Sequence, residues 1–351
     1  MSLASLRIRD LRCLAEAELS FGPHLNLIHG PNGSGKTSIL EAAFLVGRGR
    51  SFRSRHTETL IRRGSDALQV FAQTADPAHR IGFEYRREES YVARVDGSDV
   101  SGLAELPRAL FVEAIDPEVH RLVEGAPGER RRWLDWGVFH VEPQFLDSWQ
   151  RFSRALRQRN AALKAGQDPR SWEGELIVQG EAVARARGHW FEQLKPKLAD
   201  AIQRLAKLDV ELAYYRGWAA DRPLSEALEQ SRDRDKERGS TQAGPQRADV
   251  LLRVAGKAAR ESLSRGQQKL VAAAMVLALL RRLREEGASA VTLLLDDPAA
   301  ELDADRLSDL VAMVRELDCQ LIITTLDPGQ APFGSPERMF HVEHGVARQT
   351  R

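Results

Sequence analysis

Residues 30–37 read GPNGSGKT, and they join two segments of different periodicity. LNLIH before them is a short apolar run of strand type, and SILEAAFLV after them has helical spacing. A strand that passes through a glycine-rich loop into a helix turns its backbone N–H groups inward around a phosphate. Gly30, Gly33 and Gly35 permit that turn, and the helix N-terminus adds a favourable dipole. Lys36 supplies a point charge to the β- and γ-phosphates, and the Thr37 hydroxyl is placed to ligate Mg²⁺. A glycine-rich turn with a chance lysine would need neither the strand before it nor the helix after it. The stretch commits the chain to an α/β core.

A second segment narrows the class. AVTLLLDDPAAELD is an apolar run that ends in Asp296-Asp297. A buried strand ending in a carboxylate supplies a second Mg²⁺ contact, so Asp296 is the metal candidate. Asp297, one residue on, faces the γ-phosphate side. Taken alone, the Asp-Pro step reads equally well as a helix cap after a strand. Most of the chain lies between Lys36 and Asp296, so an insertion must divide one site into halves whose strands stay neighbours.

The intervening sequence agrees with that layout. Strands are expected at ASLRIRDLRCLAEAELSF, with Leu6, Ile8 and Leu11 and then Ala15, Ala17 and Leu19 alternating, and at HLNLIHG, LQVFAQT, HRIGFEYRR and YVARVDG. RALFVEAIDPEV reads as a buried strand ending at Asp116-Pro117. From about 119 to 215 the pattern is mostly helical, and EQSRDRDKERGSTQAGPQ reads as a boundary loop. Strand character returns at ADVLLRVAG, AVTLLLDD and CQLIITTL. The expected division is an N-terminal half at 1–117, a helical insertion at 118–240 and a C-terminal half at 241–351.

Composition excludes several alternatives. The chain has 351 residues, 42% of them hydrophobic, and a formal net charge of +1, so any binding to DNA needs a local basic patch. Cys13 and Cys319 are the two cysteines, and neither belongs to a metal-ligand spacing. The longest apolar run, 270–280, lies between Lys269 and Arg281 and is too short for a bilayer, which takes about 20 residues. MSLASLRIRDLRCL has no apolar signal core. The expectation is a soluble cytoplasmic protein with no membrane partner.

The same apolar run opens with LSRGQQ, a polar turn richer than a helix start requires. LSRGQQ resembles the signature motif of ABC-type ATPases, and DDPAAELD resembles their Walker B and D-loop. The resemblance implies that Ser264, Gly266 and the helix end at Gln267 contact the γ-phosphate of ATP held by a second subunit. A homodimer formed on ATP binding follows. An ordinary serine cap would account for Ser264 and little else.

A closer resemblance covers essentially the whole chain. IRDLRCLAEAEL, NLIHGPNGSGKTSILEA, GRGRSFR, LIRRG, DPEVHRLVEGAPGERRRWLDW, QRNAALK, GSTQAGPQRAD, SRGQQKL and LLLDDPAAELD, in that order, resemble the RecF family of bacterial recombination and repair ATPases. The resemblance implies an ABC-type P-loop head with a mainly helical inserted subdomain and no long coiled coil. It implies ATP and Mg²⁺ as ligands and a weak, DNA-stimulated ATPase of recombinational repair and replication-fork maintenance. It also implies binding to double-stranded DNA and single-strand junctions, with RecR and RecO as partners. The implied nucleotide set is Gly30, Asn32, Gly33, Gly35, Lys36, Thr37 and Ser38, completed by Ser264, Gly266 and Gln267. Lys36, Asp296 and Asp297 carry catalysis, and Thr37 and Asp296 hold the metal. Four positions depart from the related patterns: Gln246 stands where the family has a histidine, Glu113 where ABC-type heads carry a glutamine, Thr325 where transporters carry a switch histidine, and Asp297 where a glutamate follows the metal carboxylate. The shorter aspartate implies slow turnover, and Glu301 is the next candidate if Asp297 is structural.

Basic clusters supply the candidate DNA surface. WQRFSRALRQRNAALK contains no acidic residue. A helical wheel puts Trp149, Phe152, Leu156 and Leu163 on one face and Arg151, Arg154, Arg157 and Lys164 on a broad opposite arc. GRGRSFRSRH brings Arg48, Arg50, Arg53 and Arg55 together, and ERRRW sets Arg130, Arg131 and Arg132 in a row. No base-reading motif accompanies them, so backbone and shape recognition is expected. Two other readings compete: the nucleotide-binding subunit of an ABC transporter, and a scaffold with a degenerate phosphate loop.

Overall fold

The computed structural model describes residues 2–54, 56–88, 91–100, 102–287, 291–330 and 332–351. Two compact units emerge, one of residues 1–119 with 287–351 and one of residues 120–286. The expectation began the C-terminal half at residue 241. Residues 241–286, with the LSRGQQ stretch, instead belong to the second unit. The reason is the run at 270–280, whose helix buries its apolar surface among the helices of that unit.

The first unit opens with β1 (Ser2–Leu11), β2 (Leu14–Ser20), β3 (Leu25–His29) and α1 (Lys36–Arg48). It continues through β4 (Ala67–Ala75), β5 (Arg80–Arg86), β6 (Tyr91–Val95), β7 (Ser98–Asp99), α2 (Leu106–Ala109) and β8 (Val112–Ile115). The second unit contains α3 (Arg121–Glu124), α4 (Pro127–Val141), α5 (Phe145–Lys164), α6 (Glu173–Ala206), β9 (Glu211–Tyr215) and α7 (Leu224–Arg238). It closes with β10 (Asp249–Val254), β11 (Lys257–Ala258), α8 (Ala259–Ser262) and α9 (Arg265–Glu285). The chain then returns to the first unit with β12 (Thr292–Asp296), α10 (Pro298–Glu301), α11 (Ala304–Glu316), β13 (Gln320–Thr325), β14 (Arg338–Glu343) and β15 (Val346–Gln349).

Two sheets with α1 between them form the core of the first unit. An antiparallel sheet runs β2-β1-β4-β5-β6-β7. Its inward face takes Leu6, Ile8 and Leu11, opposite Leu19, Ala17 and Leu14. Ala15 is exposed, contrary to the expected alternation, because the tight turn at Arg12 (φ 56°) sets Leu14 against Leu11. The second sheet runs β15-β14-β3-β13-β12-β8 and is parallel except for β15. β12 and β13 are buried along their whole length, which is why LLLD and LIITT read as unbroken runs. α1 packs against β1, β4 and β5 of one sheet and β8, β12 and β13 of the other, so nearly every residue from Lys36 to Gly47 is buried. Gly47 allows that approach, since a Cβ there would lie 2.3 Å from Val112 Cγ1.

The second unit is helical apart from the sheet β11-β10-β9. α6 packs along both α5 and α9. Three local expectations are corrected. The charge run is helix α7, whose buried stripe is Leu224, Ala227, Leu228, Ser231 and Asp235, with two polar members that hid it. Residues 211–215, placed in the helical stretch, form strand β9. RALF begins in α2, started by Pro107 in its first turn, and the strand begins only at Val112. No long coiled coil occurs, and no helix is long and apolar enough to cross a membrane, among the described residues.

Candidate functional site

Parallel pairing in the order β3-β13-β12 brings three strand ends together. Asp296 lies beside Thr324, and Thr325 beside His29, immediately before the loop. Such strand ends are where open α/β sheets bind ligands. The loop needs its glycines. Gly30 and Gly35 have φ of 147° and 119°; a Cβ at Gly30 would sit 2.1 Å from the Val342 carbonyl oxygen, and one at Gly35 would crowd Leu14 and Cys13. Gly33, at φ 78°, is open on that side.

Lys36 is buried, and its Nζ donates to the Gly30 and Pro31 carbonyls at 2.6 and 3.0 Å. Burial lowers its pKa, and the charges of Asp297 and Asp296 oppose that effect. Neutral carbonyls are weaker acceptors for an ammonium than phosphate oxygens. The Thr37 hydroxyl lies 3.0 Å from both Asp296 oxygens. A hydroxyl beside a carboxylate is a hard-oxygen pair that suits Mg²⁺, with water and phosphate supplying the remaining ligands. Ser38 is buried in the same turn, while Asn32 is exposed at the loop tip.

Thr324 is a site residue the sequence reading missed. Its hydroxyl donates to Asp296 Oδ1 at 2.7 Å and accepts the Asp297 N–H at 2.9 Å. One side chain therefore orients the metal candidate and holds Asp297 in its left-handed conformation (φ 47°). The available signal is a hydroxyl at the penultimate position of a buried strand, one residue before Thr325. The Thr325 hydroxyl donates to the Asp327 carbonyl.

LSRGQQ is built differently. Ser264 caps α9 through a reciprocal box: its Oγ accepts the Gln267 N–H at 3.3 Å, and Gln267 Oε1 accepts the Ser264 N–H at 3.0 Å. Gln268 is buried and donates to the Arg260 and Leu263 carbonyls. Gly266 is exposed, and a Cβ there would meet nothing within 4 Å. The fold of this chain gives no steric reason for that glycine.

The departures from the family pattern have local partners. Glu113 accepts from Arg48 at 3.1 Å, and burial pushes the Arg48 guanidinium down to about 10 against the pull of Glu113. Gln246 Nε2 donates to the Ala243 and Thr241 carbonyls, bracing a turn of the second unit. The Glu301 side chain lies outside the described residues.

The expected basic clusters separate on inspection. Arg130 is no DNA contact: it is buried, forms a two-bond pair with Asp249 at 2.8 and 3.0 Å and donates to three carbonyls. Arg131 is half-buried and donates to the Ala248 carbonyl at 2.6 Å, and Arg132 pairs with Glu129. The ERRRW row thus serves the fold, because helical rotation carries two of its three residues inward. On α5, Arg151, Arg154 and Arg157 are exposed, but Glu175 and Asp147 pair with Arg151. Trp149 is 40% exposed, while Phe152 and Leu163 are buried. The largest omission is Arg159, fully buried against Asp235, Thr241 and Glu173. Arg53 is exposed, Arg48 is buried with Glu113, and Arg55 lies outside the described residues.

Comparison with known proteins turns this geometry into a family assignment. The RecF/RecN/SMC N-terminal domain family matches residues 2–348. The DNA replication and repair protein RecF of Pseudomonas aeruginosa is 42% identical over 362 residues, covering 100% of this chain and 98% of its own. The chain belongs to the RecF family. The RecF protein of Pseudomonas putida is 41% identical, with 100% and 99% covered. Among solved structures, the recombination mediator protein RecF-ATP of the RecFOR pathway has a TM-score of 0.89 at 23% identity, covering 100% of this chain and 98% of that one. An Smc head bound to the C-winged helix domain of ScpA has a TM-score of 0.60 at 16% identity, covering 100% and 97%. These likenesses give the chain the RecF-family fold, an α/β head of the kind also found in Smc.

Proposed function

We propose that this RecF-family chain is an ATP-dependent DNA-binding protein of recombinational repair and replication-fork maintenance, a slow ATPase that acts as an ATP-bridged homodimer. The observation that carries the reading is the convergence of Lys36, Thr37 and Asp296 at the ends of β3 and β12. Lys36 exchanges its loop carbonyls for phosphate oxygens when ATP binds, and the loop N–H groups hold the β-phosphate. Thr37 and Asp296 would hold Mg²⁺, which when bound neutralises phosphate charge during transfer. Asp297, fixed through Thr324, orients the water that attacks the γ-phosphorus; the bond to ADP breaks, and phosphate leaves with the water's oxygen. Ser264 and Gly266 contact the γ-phosphate on a partner subunit, so hydrolysis weakens the dimer.

Duplex DNA near single-strand gaps is the proposed nucleic acid, held by phosphate contacts at Arg53, Arg154 and Arg157, with Arg151 shared with its acidic partners. RecO and RecR are the proposed partners in recombinase loading, and membership of the RecF family outweighs the transporter alternative. Light scattering with ATP, duplex DNA, both and neither tests the reading. A monomer mass that doubles with ATP and takes up duplex supports it; a mass that ignores both ligands contradicts it.

A further inference from the structure

Outside the phosphate loop, Glu41 is the one carboxylate of α1, and it is fully buried. Arg12 Nε and Nη2 each donate to it at 3.0 Å, and the Ser51 hydroxyl donates to Oε1. These contacts draw three segments together. The first is α1 itself, which begins at Lys36. The second is the β1–β2 turn, where Arg12 holds a left-handed conformation and Cys13 packs on Gly35, its Sγ 3.1 Å from where a Cβ would stand. The third is the basic segment after α1, since Ser51 Oγ accepts the Arg53 and Ser54 N–H groups at 2.9 Å each. Arg12 also donates to the Thr59 carbonyl at 2.8 Å, tying down the far end of that segment. A continuous path of bonds thus runs from the backbone at Arg53 through Ser51, Glu41 and Arg12 to the turn that supports Gly35.

We propose that Glu41 is a positioning residue that couples the nucleotide site to the basic segment at 51–54, so that nucleotide and duplex DNA each tighten the binding of the other. The proposal rests on the reading above of Arg53 as a DNA contact. The physical basis is shared ordering: whichever ligand binds first fixes the path, and the second then loses less conformational freedom. Linkage requires the two effects to be equal in size. A node with only a structural role would contribute stability and leave this linkage factor unchanged.

The test uses the full chain, a fluorescent ATP analogue and a short blunt duplex. ATP affinity is measured with and without saturating duplex, and duplex affinity with and without ATP. The parent chain is expected to show a coupling factor of about 5- to 150-fold, the usual range for linked sites. Ser51→Ala, which leaves the Arg12–Glu41 pair intact, brings that factor close to one while ATP affinity without DNA stays within about twofold, and Ser51→Thr restores it. Glu41→Gln gives the same loss in a chain that still melts cooperatively; should it fail to fold, Ser51→Ala decides alone. An unchanged factor in a Ser51→Ala chain that binds both ligands overturns the coupling while leaving the DNA reading intact. A parent chain that binds no duplex contradicts the DNA reading and the proposal with it.

Discussion

Helices α1 and α9 both begin at a glycine-bearing turn, yet their N-termini are finished in opposite ways. α1 starts at Gly35, which has no side-chain cap, and its φ of 119° together with the close approach of Leu14 and Cys13 explains why it must be glycine. α9 starts at Ser264, whose side chain caps the helix, and among the described residues no contact accounts for Gly266. The first end leaves its backbone donors to an anion held by this chain. The second has already satisfied two of its groups. Capping and phosphate contact are nevertheless compatible at Ser264, because the cap uses Oγ as an acceptor and leaves the O–H proton for an acceptor outside. The difference is that the fold of this chain accounts for Gly35 and not for Gly266, and the proposed contact with a partner's nucleotide would account for the second.

Lys36→Ala is the substitution that breaks the first half of the comparison. Loss of a charge-assisted contact costs roughly 1.5–3 kcal/mol, so ATP affinity should fall about 10- to 150-fold in a titration, with the melting temperature little changed. Ser264→Ala acts on the other end. Removing the cap should cost about 1 kcal/mol of stability in a denaturant melt and leave the chain's own ATP affinity unaltered. Gly266→Ala sharpens the contrast. With open space above it, the added methyl should be neutral or stabilise the monomer by up to about 1 kcal/mol. The same methyl should weaken ATP-dependent dimerisation; a variant that dimerises like the parent would return Gly266 to an ordinary helix position.

The smallest expected effect is one of pH and belongs to the α1 region. His29 immediately precedes the loop, and burial, then His341 at a ring distance of 5.0 Å, lower its pKa, with Lys36 adding to them and Asp327 opposing. Above its unfolded value of about 6.5 the ring is neutral in both states and adds no pH dependence. Below that value the unfolded chain takes up the proton first, so stability falls as pH drops toward the folded pKa. His29→Asn should flatten the fall below about pH 6.5 in melts across pH, and an unaltered slope would assign it elsewhere.

How much of this was legible depended on whether a residue's neighbours were local in sequence. GPNGSGKT could be read because strand, loop and helix are consecutive, and Asp296 because it ends an apolar run. Thr324, Glu41 and Arg159 act through partners far away in the chain, at Asp296, Arg12 and Asp235, and no local pattern marks them. Arg130 shows the converse. In sequence it is one of three adjacent arginines, and only the return of β10 with Asp249 makes it a buried ion pair. Helix α7 was missed for a related reason: Asp235 occupies a core position that an apolar residue normally fills, and its partner is Arg159.

Whether the α9 turn serves a neighbour's nucleotide is the central question, and mixing two defective variants measures it most directly. Lys36→Ala keeps an intact α9 turn, and Ser264→Arg keeps an intact phosphate loop. Each alone, shown to be folded by circular dichroism, should fail to dimerise with ATP. Their mixture pairs one sound loop with one sound turn across a two-fold interface, so it should recover partial ATP-dependent dimer mass or turnover. A mixture as inactive as either variant alone, with both chains folded, would contradict the claim.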